Sequence, residues 1–226
     1  FRRREAAVRE REEQLERERE QQRQQEEEAR NYPLQPYQEA ANWQGSVNIG
    51  LVGNAGVGKS MLMNAIRHIA RDHPEWAPVG VNETTMAPKM YAFPGEPRAR
   101  LWDLPGAGTA AFPRETYIRN MGLRYFDAVI NVCAGRFTET ETMIQNELRS
   151  YNVPFFAVRN KVDLDIENNL DDNGISAQDT KRTIAADLRE RGVIDPYLIN
   201  AKKRAEHDFE KLERDVIAAI RANRRV

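Results

Sequence analysis

Residues Gly53-Asn54-Ala55-Gly56-Val57-Gly58-Lys59-Ser60 spell G-x-x-x-x-G-K-S between an apolar run, Val47 to Val52, and a helix-like stretch, Met61 to Arg71. Strand, glycine loop and helix in that order are the context in which this pattern cradles phosphate. Glycines let the backbone wrap an anion without Cβ clashes. Loop N–H groups and the positive end of the following helix then face the charge. Lys59 reaches the β- and γ-phosphates, and Ser60 offers a hydroxyl to Mg²⁺. The plainer alternative is a glycine turn before a helix. A chain of this length shows the pattern by chance about one time in a hundred, given ordinary glycine usage.

Two further elements follow. Asp103-Leu104-Pro105-Gly106 ends an alternating stretch, Ala99 to Trp102, that reads as a strand. In phosphate-loop proteins such an Asp supports Mg²⁺ and the Gly N–H meets the γ-phosphate. On its own, D-x-P-G is also an ordinary turn. Asn160-Lys161-Val162-Asp163 follows the apolar run Phe155 to Val158. The Asp163 carboxylate can accept from guanine's ring N–H and exocyclic amine together. Adenine lacks that donor pair and would leave a desolvated carboxylate unpaired. Lys161 would lay its stem along the base, and Asn160 would tie this loop to the phosphate loop. Asn200-Ala201-Lys202 follows Tyr197 to Ile199, and its Ala201 N–H is a candidate contact for the guanine oxygen.

The hydrophobic pattern predicts strands near 47–53, 89–93, 98–104, 128–134, 154–160 and 196–200. Helices are predicted near 59–71, 114–124, 139–151, 177–191 and 207–223. Such alternation implies a mostly parallel sheet with helices on both faces. Ligands then sit at the carboxyl ends of strands, where every motif named above falls. The fold class is therefore α/β, a P-loop NTPase with a six-stranded sheet.

Together these segments resemble a Ras-like G domain. More finely, they resemble the immunity-related, interferon-inducible GTPases. The resemblance covers about Val47 to Ile220. Its carrying segments are Gly53 to Ser60, Val81 to Met86, Leu101-Trp102-Asp103-Leu104-Pro105-Gly106 with Phe112-Pro113-Arg114-Glu115-Thr116-Tyr117, Ala134 to Phe137, and Val158 to Asp163. It implies GTP and GDP as ligands with Mg²⁺. Nucleotide contacts then fall on Gly53 to Met61, Asn160, Lys161, Asp163 and Asn200 to Lys202. Metal support falls on Ser60, Asp103 and a switch threonine, Thr85, with Thr84 as the neighbouring alternative. Lys59, Ser60, Thr85 and Gly106 carry the chemistry. Ras-type proteins often place Gln after D-x-x-G to orient water; here that position is Ala107. Some family members carry an acidic residue where Asn54 stands. The implied activity is slow GTP hydrolysis, stimulated by nucleotide-dependent self-association of G domains. The rival reading is a non-catalytic switch or scaffold that recruits partners. The family also implies a cytoplasmic protein, peripheral on intracellular membranes, with a helical domain that is absent or truncated here.

Composition sets outer limits. The net charge is −1 over 226 residues, so no global field favours nucleic acid. One cysteine, Cys133, excludes an internal disulfide framework and reads as a small buried hydrophobe. No apolar run approaches the roughly 18 residues of a membrane span. Residues 1–30 are nearly all Arg, Glu and Gln, with Phe1, Val8 and Leu15 seven apart. They read as a solvated charged helix, as a weak coiled coil, or as disorder, since a seam wants two apolar positions per heptad. Residues 31–46 read as a linker whose Tyr32, Tyr37 and Trp43 either pack on the G domain or dress the linker; 47–226 is the G domain. The acidic stretch Asp165 to Asn173 fails calcium-loop spacing and reads as a solvated insertion. His68, His73 and His207 have no metal-like spacing.

Base choice gives the first test. Asp163→Asn should relax preference from guanine toward xanthine nucleotides, whose extra carbonyl suits an amide donor. Competition binding measures it, and unchanged selectivity would remove Asp163 from the base site.

Overall fold

The computed structural model describes residues 11–21, 23, 24, 27, 31–80 and 85–223. Two compact units divide the chain, Phe1–Leu34 and Gln35–Val226. In the first, residues 11–21, 23, 24 and 27 are helical and exposed. Its Glu13–Arg17 pair, spaced i,i+4 at 3.6 Å, is the kind of solvated contact that contributes only tenths of a kcal/mol. The rest of the expected arm, residues 1–10 among it, lies outside the described residues. No helix among the described residues is long and apolar enough to cross a membrane.

The second unit is a six-stranded sheet in the order β2-β3-β1-β4-β5-β6. Its strands are β1 (Val47–Val52), β2 (Lys89–Ala92), β3 (Ala99–Asp103), β4 (Ala128–Cys133), β5 (Phe155–Arg159) and β6 (Tyr197–Leu198). Only β2 runs antiparallel, against β3. The helices are α1 (Lys59–Ile66), α2 (Arg114–Met121), α3 (Glu139–Ser150), α4 (Val162–Asn173), α5 (Ala177–Glu190) and α6 (Phe209–Ala222). β1 lies between β3 and β4 and is buried along its whole length. Buried on both faces, a central parallel strand must be near-continuously apolar, as this one is.

Strand alternation assigns each face its helices. Ile49, Leu51, Leu101, Ile130 and Val132 form one core with Leu62, Met63 and Ile66 of α1 and Phe209, Leu212, Val216 and Ile220 of α6. Residues one step along, Cys133, Ala157 and Leu198, pack with Val162 of α4 and Leu188 of α5. Burial pushes the Cys133 thiol up to about 12, so it stays protonated and inert.

Two segments differ from the sequence reading. The acidic stretch read as an insertion belongs to a helix, α4. Its first turn carries Asp163 and Asp165, which suit the positive helix end. Gly174 in the left-handed conformation closes it, donating to Leu170 O at 2.9 Å while Ile175 N donates to Asn169 O at 3.1 Å. Val162 and partly buried Ile166 supply its apolar stripe. Too few apolar positions stood out for periodicity to reveal it.

The stretch read as a linker is, from Gln35 on, part of the second unit. Pro36–Glu39 forms one helical turn and Trp43–Gly45 a 3₁₀ turn. Trp43 lies edge-on to Phe126 at 4.9 Å and beside Trp102 at 5.3 Å, and its indole N–H donates to Tyr125 O at 2.9 Å. Tyr37 donates to Met121 O at 2.7 Å, and its ring sits 5.2 Å from Trp102. Buried Asn48 of β1 closes the cluster, accepting from Trp102 Nε1 at 3.0 Å and donating to Trp43 O at 2.8 Å.

Trp43 is thus a core residue of the G domain. Trp43→Ala should cost about 3–5 kcal/mol, the usual range for emptying a buried aromatic site. Thermal unfolding should fall by roughly 10 °C at about 2–4 °C per kcal/mol. A drop under about 2 °C would show these aromatics to be mere surface cover.

Candidate functional site

The phosphate loop begins where β1 stops. Gly53 has φ 136°, and a Cβ there would lie 2.0 Å from Val132 O. Only glycine can make that turn. Gly58 precedes α1 with φ 95°, and a Cβ there would lie 2.5 Å from Asn160 Nδ2. Lys59 is buried and donates to Gly53 O at 3.2 Å and Asn54 O at 2.9 Å. Its ammonium is thereby held over the loop, where a phosphate chain would lie.

At the end of β3, Asp103 meets two hydroxyls. Ser60 Oγ donates to Asp103 Oδ2 at 2.7 Å, and Thr85 Oγ1 donates to the same oxygen at 3.1 Å. Asp103 Oδ1 is buried and has no hydrogen-bond partner among the described residues. Burial pushes the Asp103 carboxyl above its ordinary value; bonds from Ser60 and Thr85 and the charge of Lys59 oppose the shift. The donor set fits Mg²⁺, which takes one or two carboxylates and completes its shell with phosphate oxygens and water. Ser60, Thr85 and Asp103 would hold it. Among the described residues no group of three or more His, Cys, Asp or Glu offers an all-protein metal site. Thr84 lies outside the described residues.

The base end is built by Asn160. Its Nδ2 donates to Val57 O at 3.0 Å, and its Oδ1 accepts from Ala201 N at 3.0 Å. Its own N–H donates to Cys133 O at 2.8 Å. Lys161, at φ 62°, turns the chain into α4 and donates from Nζ to Gly56 O at 2.8 Å. The expected tie between the base loop and the phosphate loop is therefore made twice. Asn200 Oδ1 accepts from Lys202 N at 2.9 Å, which shapes the third loop.

Most of these groups line one cleft of about 550 Å³, with Asp103 set behind Ser60 and Thr85. Ala55, Gly56, Gly58, Lys59, Ser60, Met61, Thr85, Gly106, Asn160, Lys161, Asp163 and Asn200 to Lys202 all face it, joined by Val79, Gly80 and Leu164. Three expected nucleotide contacts do not. Gly53 and Val57 are buried beneath the loop, their carbonyls taken by Lys59 and Asn160. Asn54 points away, toward Thr138 Oγ1 at 3.1 Å and Glu141 Oε1 at 2.8 Å. The Ala201 N–H, expected on the guanine oxygen, is already given to Asn160.

Sequence reasoning named Tyr117 as part of F-P-x-x-x-Y but gave it no role. Its hydroxyl donates to Pro105 O at 2.7 Å from a fully buried position. That bond fixes the D-L-P-G turn from α2, and it explains why F-P-x-x-x-Y accompanies W-D-L-P-G. A tyrosine one helical turn past a proline was the available signal. Ala107 pairs with Asn54 in an isolated parallel bridge and donates to Gly53 O at 3.1 Å. Gly106 is packed against the phosphate loop so closely that a Cβ would sit 2.7 Å from Ala55 Cα.

A glycine phosphate loop, a carboxylate with two hydroxyls and an Asn-Lys-x-Asp base loop at strand ends define a P-loop GTP-binding domain. The interferon-inducible GTPase family matches residues 38–226, and the chain belongs to that family. Mouse interferon-inducible GTPase 1 is 32% identical over 182 residues, which is 77% of this chain and 44% of that protein. Rat interferon-inducible GTPase 5 is 33% identical over 174 residues, 74% of this chain and 38% of that one. The chain thus spans less than half the length of these relatives. Among solved structures, Aquifex aeolicus Era bound to GDP·AlF4⁻ is similar in fold, with a TM-score of 0.55 at 18% identity over 76% of this chain and 56% of that one.

Ionised Asp103 destabilises the folded chain when no cation faces it. Its raised pKa means the chain is relatively most stable below the ordinary carboxylate range, about 3.9, and loses that advantage as pH rises. Asp103→Asn should therefore raise the melting temperature of nucleotide-free, magnesium-free protein at neutral pH, by about 2–4 °C per kcal/mol recovered. The gain should shrink toward acidic pH. Melting curves across pH test this, and an equal or lower melting temperature at pH 7 would refute the account.

Proposed function

We propose that this chain binds guanine nucleotides with Mg²⁺ and hydrolyses GTP to GDP. The observation that carries the reading is the single cleft. It brings Lys59, Ser60, Thr85 and Asp163 into one space from three separate stretches of sequence, with Asp103 bonded to the hydroxyls of Ser60 and Thr85 behind its wall. Each group has a derived part. Amides of the loop and the Lys59 ammonium neutralise phosphate charge, where charge-assisted bonds are about twice as strong as neutral ones. Asp163 accepts from the guanine edge and refuses adenine. Gly106, pressed on the phosphate loop, presents its backbone where a third phosphate would end. When bound, Mg²⁺ supplies electrophilic neutralisation of the β- and γ-phosphate oxygens.

Water positioning is where this chain departs from Ras-type sites. Ala107 is buried, with an apolar side chain and a backbone already paired. A slow intrinsic rate follows from that. Self-association of G domains is the proposed stimulus, since a second copy supplies groups the lone cleft lacks. Attachment to intracellular membranes is part of the same reading and rests on family resemblance. Ala107 equally favours a second reading, a GTP-dependent switch with negligible turnover.

Lys59→Ala should abolish GTP and GDP binding by calorimetry while leaving the fold intact. For the native chain, specific GTPase activity should rise with protein concentration. Activity independent of concentration would exclude the self-association mechanism. No phosphate release in single-turnover experiments at high protein would favour the switch.

A further inference from the structure

Glu141 sits in the first turn of α3, outside the nucleotide cleft, and it is fully buried. A buried carboxylate must be hydrogen-bonded to be tolerated. Part of the requirement is met locally, since Oε2 accepts from Thr138 N–H at 2.8 Å and from the Thr138 hydroxyl. That is a capping box. The other oxygen, Oε1, accepts from Asn54 Nδ2 at 2.8 Å. Asn54 belongs to the phosphate loop, 87 residues away in sequence.

Asn54 is also the residue on which the two phosphate-facing loops meet. Its carbonyl accepts from Lys59 Nζ at 2.9 Å. Its backbone forms the parallel bridge with Ala107, next to Gly106. Ala107 N in turn donates to Gly53 O at 3.1 Å. The register of the D-x-x-G loop against the phosphate loop is thus set at Asn54, and Asn54 is held from behind by Glu141.

We propose that Glu141 and Asn54 are a positioning pair that fixes Gly106 for recognition of a third phosphate. The inference rests on the GTP-binding reading above. The pair bears most directly on the γ end of the cleft, through the Asn54–Ala107 bridge beside Gly106. The middle of the phosphate loop is tied instead to Asn160 and Lys161 through Val57 O and Gly56 O, while the Lys59 ammonium is shared between Gly53 O and Asn54 O. The chemistry also dictates the residue type. Both Glu141 oxygens accept here, so the partner at position 54 must donate. An aspartate at position 54 would set acceptor against acceptor in a buried place. A serine would be too short to reach.

The test compares GDP and GTPγS affinities, with Mg²⁺, for the native chain and three variants: Asn54→Ser, Asn54→Asp, and Asn54→Asp combined with Glu141→Gln. Asn54→Ser and Asn54→Asp should lower GTPγS affinity about tenfold and GDP affinity by less than about threefold, the size of one lost bond to a charged group. The combined variant should restore the GTPγS to GDP ratio, because the amide introduced at position 141 would donate the bond that the carboxylate introduced at position 54 accepts. Should Asn54→Asp fail to fold, Asn54→Ser carries the same comparison, because it shortens the side chain without adding charge. Equal losses for both nucleotides would reduce the pair to general scaffolding and overturn the proposal. So would a native ratio in Asn54→Ser, or a folded combined variant that stays impaired. Absence of binding by the native chain would instead overturn the GTP-binding reading.

Discussion

One buried amide, Asn160, holds the cleft in shape. Its side-chain nitrogen is bonded to the phosphate loop, its side-chain oxygen to the Ala201 loop, and its backbone to the end of β4. Three loops from different strand ends therefore cannot drift apart independently. The distance between the phosphate loop and the Asp163 carboxylate, the proposed reader of the base, becomes a fixed length, as recognition of a nucleotide would require. The contact also explains a motif glycine. Gly58 must lack a Cβ because Asn160 Nδ2 occupies that place, 2.5 Å away. G-K-S and N-K-x-D are thus two halves of one steric arrangement, separated by about a hundred residues. Removing the amide would orphan Val57 O and Ala201 N together, and each buried unpaired group costs about 1–3 kcal/mol.

The phosphate end is stabilised differently. Alternation along β3 sends Trp102 into the aromatic cluster with Trp43 and Tyr37 and sends Asp103 toward the cleft. Packing of one residue thereby orients its neighbour. Past Asp103, the chain has no further strand to hold it, so Tyr117 grips Pro105 O and Ala107 pairs with the phosphate loop. The result is a D-x-x-G turn fixed by bonds on both sides. Its glycine lies against the loop without room for a methyl group.

Much of this was legible in the sequence because the motifs carry their own sterics. G-x-x-x-x-G-K-S states where the backbone must turn, and alternating apolar runs place the six strands around it. Asn160 could be assigned its tie to the phosphate loop, whereas Thr85 came only from the family resemblance, as a metal-side threonine with Thr84 as its alternative. What escaped depends on long-range pairing that no local pattern encodes. Asn54 looks like a phosphate-loop ligand until Glu141 appears behind it. The Ala201 N–H looks free until Asn160 takes it. Residues 31–46 carry proline and polar signals of a linker, yet from Gln35 on their aromatics complete the β3 side of the core. Helix α4 was hidden by its acids, although the acids of its first turn and Gly174 after its last are what cap it.

The polar groups of the cleft are largely satisfied by one another. Lys59 lies on the carbonyls of Gly53 and Asn54, Ser60 and Thr85 on Asp103, and the Ala201 amide on Asn160. Binding is therefore an exchange of partners, and its free energy is a difference rather than a sum of new contacts. On the proposed reading, the Lys59 ammonium would give up carbonyl oxygens for phosphate oxygens, a gain because the new bonds are charged on both sides. Asp103 enters that exchange at a disadvantage, with one oxygen unpaired and its carboxyl raised by burial. On the proposed reading, a divalent cation brought in with the phosphates would remove that deficit. On the same GTP-binding reading, metal and triphosphate would each raise the affinity of the other, with the coupling running through Asp103.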